Sequence, residues 1–265
     1  MPAFEISRMK KEIMVIKFLK ALFGIYAIIV FILSHIIVIP CYLVIFNFMG
    51  KNRAPRVAHK VSRFWARLLF TFFFIRTDIT GKDLIDSEKV YVFVSNHRSQ
   101  LDIPLFALAC RNTFRFLSKA EVARIPLLGY VVKNLYIIVD RQDKADRIKS
   151  MAVMKDSLMT EKISVVLYPE GTRNRSTEPL LEFKDGAFRL AIETQLPVAA
   201  LAIYNSGYFT PPNKLQLQPG VLKADWCEPV ATAGMTSEDV PRLKQEVRNR
   251  ILEKLRLRSE TADRN

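Results

Sequence analysis

A long apolar segment stands near the start of the chain. Residues 21–50 contain no Lys, Arg, Asp or Glu. Thirty residues of helix would extend about 45 Å, which exceeds the ~30 Å hydrocarbon core of a bilayer. The segment is too long and too far from the N-terminus for a signal-peptide core, and no A-x-A pattern follows it. We therefore expect it to be retained and to contact a membrane.

The flanks of this segment bear on its topology. Pro40 lies inside it and predicts a kink or break just before that residue. A single span usually carries an excess of positive charge on its cytoplasmic side. Here both flanks are basic, with Lys10, Lys11, Lys17 and Lys20 before the segment and Lys51, Arg53 and Arg56 after it. Symmetric flanks favour a re-entrant or monotopic helix pair with both ends on one face, and a single tilted span is the alternative.

Residues 54–72 show the periodicity of an amphipathic helix. Basic side chains recur at helical spacing at Arg56, Lys60, Arg63 and Arg67. Apolar side chains recur on a neighbouring face at Val57, Val61, Phe64, Trp65, Leu68 and Phe72. A cationic stripe beside an aromatic-rich apolar stripe predicts a helix at a membrane interface. The alternative is an ordinary domain helix with a solvated basic edge.

From Ile75 onward, short strand-like runs alternate with helical patterns. The runs are 75–80, 89–95, 113–117, 136–140, 163–168, 198–204 and 214–225. Helical patterns include residues 143–160 and a final helix with Val240, Leu243, Val247, Ile251 and Leu255 on one side. This alternation predicts an α/β domain whose sheet is covered by helices. We expect membrane-anchoring helices in residues 1–74, a catalytic domain in 75–258 and a polar tail in 259–265.

Composition narrows the classes of partner. The 265 residues carry a formal net charge of +14, and half of them are hydrophobic. A basic chain can bind nucleic acid, an anionic membrane or an acidic partner. The sequence has no zinc-finger spacing, basic-region heptads or RNA-binding aromatic signature, so we expect no nucleic-acid partner. Anionic membrane lipids fit the charge and the apolar segment together.

The cysteines suggest neither disulfides nor a metal site. Cys41, Cys110 and Cys227 lie far apart and without CxxC spacing. This pattern argues against a disulfide framework and against a structural zinc site. We expect no metal and no cofactor, and a catalytic domain that faces a reducing compartment.

Polar side chains follow two of the predicted strands. The histidine motif (residues 96–102, NHRSQLD) follows the run 89–95, and the glutamate motif (residues 168–173, YPEGTR) ends the run 163–168. Ligands of open α/β sheets bind at the carboxyl ends of strands, so we expect both motifs at one edge of one sheet. There His97 could act as a base, Asp102 could orient it and Arg173 could hold an anion.

Each of these residues also has an ordinary structural interpretation. A single histidine is often a bonded structural residue, and Asp102 before Ile103-Pro104 suits the N-terminus of a helix. Glu170 could form a salt bridge at the strand end, for example to Arg173. Gly171 could provide a positive φ or a close approach of backbone to ligand.

Together the motifs resemble those of the glycerolipid acyltransferases, most closely the bacterial 1-acyl-glycerol-3-phosphate acyltransferases. N-H-x-x-x-x-D is matched by the histidine motif and P-E-G-T-R by the glutamate motif, with Tyr168 where Phe is usual. A looser motif is similar to Lys119, Pro126, Gly129 and Arg141, and a fourth to Leu196-Pro197-Val198. The four blocks occur in family order over residues 76–225.

The resemblance implies an O-acyltransferase bound to the cytoplasmic face of the inner membrane, whether monotopic or single-pass. His97 would take the proton of the sn-2 hydroxyl of lysophosphatidic acid, and the alkoxide would attack the thioester of acyl-CoA or an acyl-carrier protein. Glu170 would engage the glycerol hydroxyls and Arg173 the phosphate. Further substrate-binding candidates are Gly171, Thr172, Lys119 and Arg141.

Absent motifs restrict the mechanism. The sequence has no G-x-S-x-G nucleophile elbow, no Walker loop and no G-x-G-x-x-G. A covalent acyl-enzyme is therefore not indicated, and direct attack by the acceptor is the simpler route. Two other functions remain open: acylation of another acceptor, such as glycerol-3-phosphate or a lyso-aminolipid, and a non-catalytic lipid-binding role.

Overall fold

The computed structural model describes residues 3–140, 142–211 and 216–262. Seven strands run β1 Ile75–Thr80, β2 Val92–Ser95, β3 Phe114–Lys119, β4 Ile137–Val139, β5 Ser164–Leu167, β6 Val198–Ile203 and β7 Gly220–Trp226. The helices are α1 Ala3–Phe48, α2 Ala54–Phe72, α3 Asp102–Ala109, α4 Leu128–Leu135, α5 Lys144–Met159, α6 Gly186–Thr194, α7 Ser206–Phe209 and α8 Val240–Ala262. Short 3-10 turns lie at Lys82–Leu84, Val122–Arg124 and Ser237–Asp239.

The strands form one mixed sheet in the order β1-β7-β6-β2-β5-β3-β4. All neighbours are parallel except β6 and β7, which pair antiparallel. Strand β2 lies at the centre, between β6 and β5, and Val94 is in register with Leu167. The carboxyl ends of β2 and β5 are therefore adjacent, so the histidine and glutamate motifs leave the sheet side by side.

The predicted α/β class is confirmed, and each predicted strand has a counterpart. Strand β1 has the predicted bounds, and the start of the predicted run at Lys214 lies outside the described residues. Every residue of β2 and β6 is buried, as expected for central strands covered on both faces. On one face Phe93 packs with α2 and α3; on the other Val92 packs with α5, α6 and α8.

Helix α1 is continuous, so of the predicted kink or break before Pro40 the break is wrong and the kink stays a prediction. The helix runs from Ala3 to Phe48 with Pro40 inside it. Proline removes one backbone hydrogen bond from a helix, but tertiary packing can hold the helix together. Pro40 itself is exposed, whereas Val38, Ile39 and Tyr42 beside it are buried in a shared cluster with α2 and α4.

Helices α1 and α2 form an antiparallel hairpin. Three side-chain hydrogen bonds fix its register: the Tyr26 hydroxyl to the Phe72 carbonyl at 3.0 Å, Trp65 Nε1 to Ser34 Oγ at 3.0 Å, and Tyr42 with Ser62 at 2.7 Å. Much of the apolar face of α2 therefore packs against α1 instead of remaining open to lipid. On that face only Phe64 and Phe72 stay strongly exposed, at 63% and 48%.

The outer face of α1 carries an exposed apolar surface. Residues 14–48 are, in the described part of the chain, the one helical stretch long and apolar enough to cross a membrane by length and composition, with a mean hydropathy of 2.8. Exposed apolar side chains extend along it from Met14 to Val44. This helix is consistent with membrane association.

The boundaries of the predicted catalytic domain, residues 75–258, remain predictions. Core packing crosses the N-terminal boundary. Leu69 and Phe70 of α2, together with Phe73 just after it, share a core with Ile75 and the sheet. At the other end, α8 continues to Ala262, into the segment predicted as a polar tail. Residues 263–265 lie outside the described residues.

Candidate active site

His97 and Asp102 form a bonded pair where β2 gives way to α3. His97 Nδ1 lies 2.7 Å from Asp102 Oδ2, and the Asp102 side chain is fully buried. The same oxygen accepts the backbone N–H groups of Arg98 at 2.8 Å and Ser99 at 2.9 Å. Because a carboxylate accepts, Nδ1 carries the proton in this pair and Nε2 keeps its lone pair. The arrangement is that of a base with a carboxylate that orients it.

Asp102 does not occupy the N-cap position of α3, although its place before Ile103-Pro104 suits a helix N-terminus. Leu101 occupies the N-cap position of α3, and Asp102 is the first helical residue. Its carboxylate reaches back to the residues that precede the helix. The short loop 96–101 therefore folds around this one buried oxygen.

Asn96 fixes the start of the same loop. Its amide nitrogen donates to the Ile203 carbonyl at 2.7 Å, and its amide oxygen accepts the Ile203 N–H at 2.8 Å. These bonds extend the β2–β6 pairing past the end of β2. Asn96 is also only 1% exposed, so the backbone directly before His97 is held by buried contacts.

Glu170 ties the two motifs together. Its Oε1 accepts the His97 backbone N–H at 2.8 Å and its Oε2 accepts the Leu181 N–H at 2.9 Å. The residue is 3% exposed, and among the described residues its carboxylate forms no salt bridge with Arg173. Burial raises the pKa of Glu170, while the two N–H donors oppose that shift. Its contact with glycerol hydroxyls stays a prediction.

Tyr168 stacks on the catalytic candidate. Its ring centroid lies 4.0 Å from that of His97, with 18° between the planes. The Tyr168 hydroxyl and Asp102 Oδ1 are both buried without a hydrogen-bond partner among the described residues. Burial raises the pKa of Tyr168 well above its ordinary value, so its ring is neutral. From the sequence, Tyr168 was notable only because Phe is usual at this position of the glutamate motif.

Two further residues of the site carry no signal in the sequence. Arg98 donates to the carbonyls of Ser176 at 2.5 Å and Glu178 at 3.4 Å. Asn174 is buried and donates its backbone N–H to the His97 carbonyl at 2.7 Å. Both hold the segment after the glutamate motif against the histidine loop. The bonds of Arg98 run from side chain to backbone and that of Asn174 from backbone to backbone. All of them join segments far apart in sequence, which no spacing within either motif reveals.

The predicted substrate-binding residues that the structure describes lie at the carboxyl ends of β5 and β3. Gly171 has φ +73°, the left-handed conformation that favours glycine, and closes a turn in which its N–H bonds the Tyr168 carbonyl at 2.9 Å. Arg173 and the exposed Thr172 follow it. Lys119 is exposed at the carboxyl end of β3, the strand beside β5. Arg141 lies outside the described residues.

Comparison with known proteins agrees with this geometry. Residues 76–204, which include both motifs, match the family model described as Acyltransferase. The chain carries a domain of the acyltransferase family. The resemblance inferred from the two motifs is thereby confirmed.

Relatives and a solved structure extend the likeness. An uncharacterised acyltransferase of Schizosaccharomyces pombe is 32% identical over 182 residues, 68% of this chain and 65% of that protein. The 1-acyl-sn-glycerol-3-phosphate acyltransferase alpha of Homo sapiens is 30% identical over 179 residues, 67% and 63% of the two chains. This chain thus spans less than two thirds of the length of either relative.

The crystal structure of the 1-acyl-sn-glycerophosphate acyltransferase PlsC from Thermotoga maritima shares the fold. It superposes with a TM-score of 0.76 at 22% identity, covering 91% of this chain and 97% of that one. At this identity the likeness concerns the fold alone.

Proposed function

We propose that this protein transfers a fatty acyl group from an acyl thioester to the sn-2 hydroxyl of 1-acyl-glycerol-3-phosphate, giving phosphatidic acid. The observation that carries the proposal is the His97–Asp102 pair, whose open Nε2 lies at the sheet edge that also bears Arg173. Relatives named as 1-acyl-sn-glycerol-3-phosphate acyltransferases support this choice of acceptor.

In the proposed reaction, His97 Nε2 takes the proton of the acceptor hydroxyl as its oxygen attacks the thioester carbonyl. The new ester C–O bond forms, the C–S bond breaks, and the departing thiolate takes the proton from the imidazolium. Asp102 stabilises that imidazolium, and before the reaction it fixes the tautomer of the neutral imidazole. The face of the Tyr168 ring lies against the imidazole and attracts the transient positive charge. Acyl-CoA or an acyl-carrier protein would supply the thioester.

The proposed location is the cytoplasmic face of the inner membrane, with residues 1–74 as the anchor. The second half of α1 packs on α2 and α4 through Val38, Ile39 and Tyr42. A helix covered by the protein on one side and apolar on the other suits attachment to one leaflet better than a span. The basic side chains of α2 would then meet anionic headgroups.

An acyltransfer assay tests the function. Purified protein in mixed micelles would receive labelled acyl-CoA or acyl-carrier protein together with lysophosphatidic acid, glycerol-3-phosphate or a lyso-aminolipid. We expect labelled phosphatidic acid from lysophosphatidic acid, and none with His97→Ala. A product from another acceptor alone would reassign the acceptor. Lipid binding without turnover of any acceptor and donor pair would identify a non-catalytic lipid-binding protein.

A further inference from the structure

We propose that Lys184 binds the phosphate of the acceptor together with Arg173. This inference rests on the proposed function and adds a binding residue to it. Lys184 belongs to neither motif, since eleven positions separate it from Arg173 in sequence. The fold nevertheless brings it to the turn that carries the glutamate motif.

The segment before α6 runs back along the glutamate motif. The Leu181 N–H bonds Glu170 Oε2 at 2.9 Å, and the Lys184 N–H bonds the Pro169 carbonyl at 2.8 Å. Between them, Phe183 is buried in the core and anchors the segment. The backbone of Lys184 is therefore fixed to the same turn that positions Glu170.

The Lys184 side chain lies across Gly171. A Cβ added to Gly171 would come within 2.7 Å of both Cε and Nζ of Lys184. The absence of a side chain at Gly171 is thus what lets the ammonium rest on this turn, which Arg173 follows two positions later in sequence. A close approach at this glycine was expected from the sequence, and here the approaching group is a lysine.

The charge of Lys184 is not neutralised by its neighbours. Asp185 pairs with Lys244 at 2.7 Å, and Glu182 faces Arg248 at 3.8 Å, both toward α8. Glu170 is engaged by two backbone N–H groups. Within the described part of the chain, no carboxylate lies within 4.0 Å of Lys184 Nζ. A compact ammonium with three donors and no carboxylate partner in that part of the chain suits a phosphate, as does the guanidinium of Arg173 in the same segment.

The acceptor phosphate fits this position better than a phosphate of the donor. In lysophosphatidic acid, only a few bonds separate the phosphorus from the hydroxyl that His97 must deprotonate. In acyl-CoA or an acyl-carrier protein, the long pantetheine arm separates the phosphates from the thioester. Lys184 lies on the turn beside Glu170, whose carboxylate bonds the His97 backbone, so it is placed for the nearer phosphate.

The test compares acceptors with and without phosphate. Lys184→Met keeps the aliphatic stem and removes the charge, Lys184→Arg restores a cation, and Lys149→Met on the exposed side of α5 is the matched control. For Lys184→Met we expect kcat/KM for lysophosphatidic acid to fall about 10- to 100-fold, the range for a lost charged hydrogen bond. Turnover of the matching monoacylglycerol should change little, Lys184→Arg should recover most of the loss, and Lys149→Met should match the wild type.

Donor-free binding of both acceptors to the same variants gives a second readout, with circular dichroism to verify folding. Weaker binding of lysophosphatidic acid alone supports the proposal. Equal losses on both acceptors, a change confined to the KM of the donor, or an unchanged variant would each overturn the Lys184 inference while leaving the function intact. A wild-type protein that neither binds nor acylates lysophosphatidic acid would overturn the proposed function and this inference with it.

Discussion

The strand-end site contains His97 and helix α2 of the α1–α2 hairpin contains His59, and these two side chains are held in opposite ways. His97 is partly exposed, with Nδ1 bonded to a buried carboxylate and Nε2 open. His59 on α2 is 2% exposed; its Nε2 lies 2.5 Å from the Phe114 carbonyl, and its Nδ1 is buried without a partner among the described residues. The surroundings of His97 leave Nε2 without a hydrogen-bond partner among the described residues, while those of His59 withdraw both ring nitrogens from solvent.

The two regions also differ in what stabilises them. At the strand ends, side chains of Asn96, Arg98 and Glu170 bond backbone groups of distant segments, so the loops are rigid before a substrate arrives. In the hairpin, apolar packing dominates and three side-chain hydrogen bonds set the register. The same residue type thus becomes a candidate base or a buried structural residue according to the groups around it.

The largest expected effect concerns the carboxylate that distinguishes His97 from His59. In Asp102→Asn, the amide cannot serve as the same acceptor for three donors, and the imidazole loses its fixed tautomer. We expect kcat to fall by about 10⁴, as for the equivalent change in a serine protease triad, and His97→Ala to abolish turnover. Steady-state kinetics on folded, purified variants check this. Near-normal turnover by His97→Ala would remove His97 from the mechanism, and near-normal turnover by Asp102→Asn would remove the orienting role of Asp102.

The next effect concerns His59 and the pH dependence of stability. Burial lowers the pKa of His59 from 6.5 to about 4, and the nearby Arg63 and Arg115 add to that shift. The unfolded chain then binds a proton that the folded chain rejects, so stability falls as pH drops from about 6.5 to about 4. The loss contributed by His59 is about 3 kcal/mol over that window, at about 1.4 kcal/mol per pH unit.

The matched variant for this effect is His59→Gln, whose amide can still donate to the Phe114 carbonyl but does not titrate. Both proteins are unfolded with denaturant in detergent, at neutral pH and near pH 4. The difference between them isolates the contribution of His59 to the free energy of unfolding, because the two proteins share all other titratable groups. We expect the wild type to lose about 3 kcal/mol more than the variant. Parallel losses in the two proteins would show that His59 is accessible to protons in the folded state.

Much of the site was predictable because it follows from short motifs and from the strands that directly precede them. The strand runs before His97 and Tyr168 were clear in the sequence, and neighbouring parallel strands bring their carboxyl ends together. The H-x-x-x-x-D spacing was enough to place Asp102 beside His97. The bonds of Asn96 to Ile203 and of Lys184 to Pro169 were not predictable, because they join segments whose pairing only the folded sheet defines.

The hairpin was harder to predict for a related reason. An amphipathic pattern shows that α2 has an apolar face but not what covers it. The sequence favoured lipid, whereas in the structure Val57, Val61 and Trp65 pack against a cluster shared by α1, α2 and α4. Likewise Pro40 predicted a break from local chemistry alone, and packing of the neighbouring Val38 and Tyr42 keeps the helix continuous.

The smallest expected effect sharpens the description of the strand-end site. Tyr168 stacks on His97, but its buried hydroxyl has no partner in the described structure, and neither has Asp102 Oδ1. An unpaired buried hydroxyl destabilises a fold, so we expect Tyr168→Phe to stabilise the protein by about 1 kcal/mol and raise the melting midpoint by about 2–4 °C. Thermal unfolding followed by circular dichroism measures this.

The kinetics of the same variant decide what the hydroxyl is for. If only the ring matters, Tyr168→Phe retains the stack on the imidazole and kcat stays close to that of the wild type, whereas Tyr168→Leu loses the aromatic face and lowers kcat. A large loss of kcat in Tyr168→Phe would contradict this interpretation. It would mean that the hydroxyl gains a hydrogen-bond partner during the reaction, with a substrate group and the unpaired Asp102 Oδ1 as the two candidates.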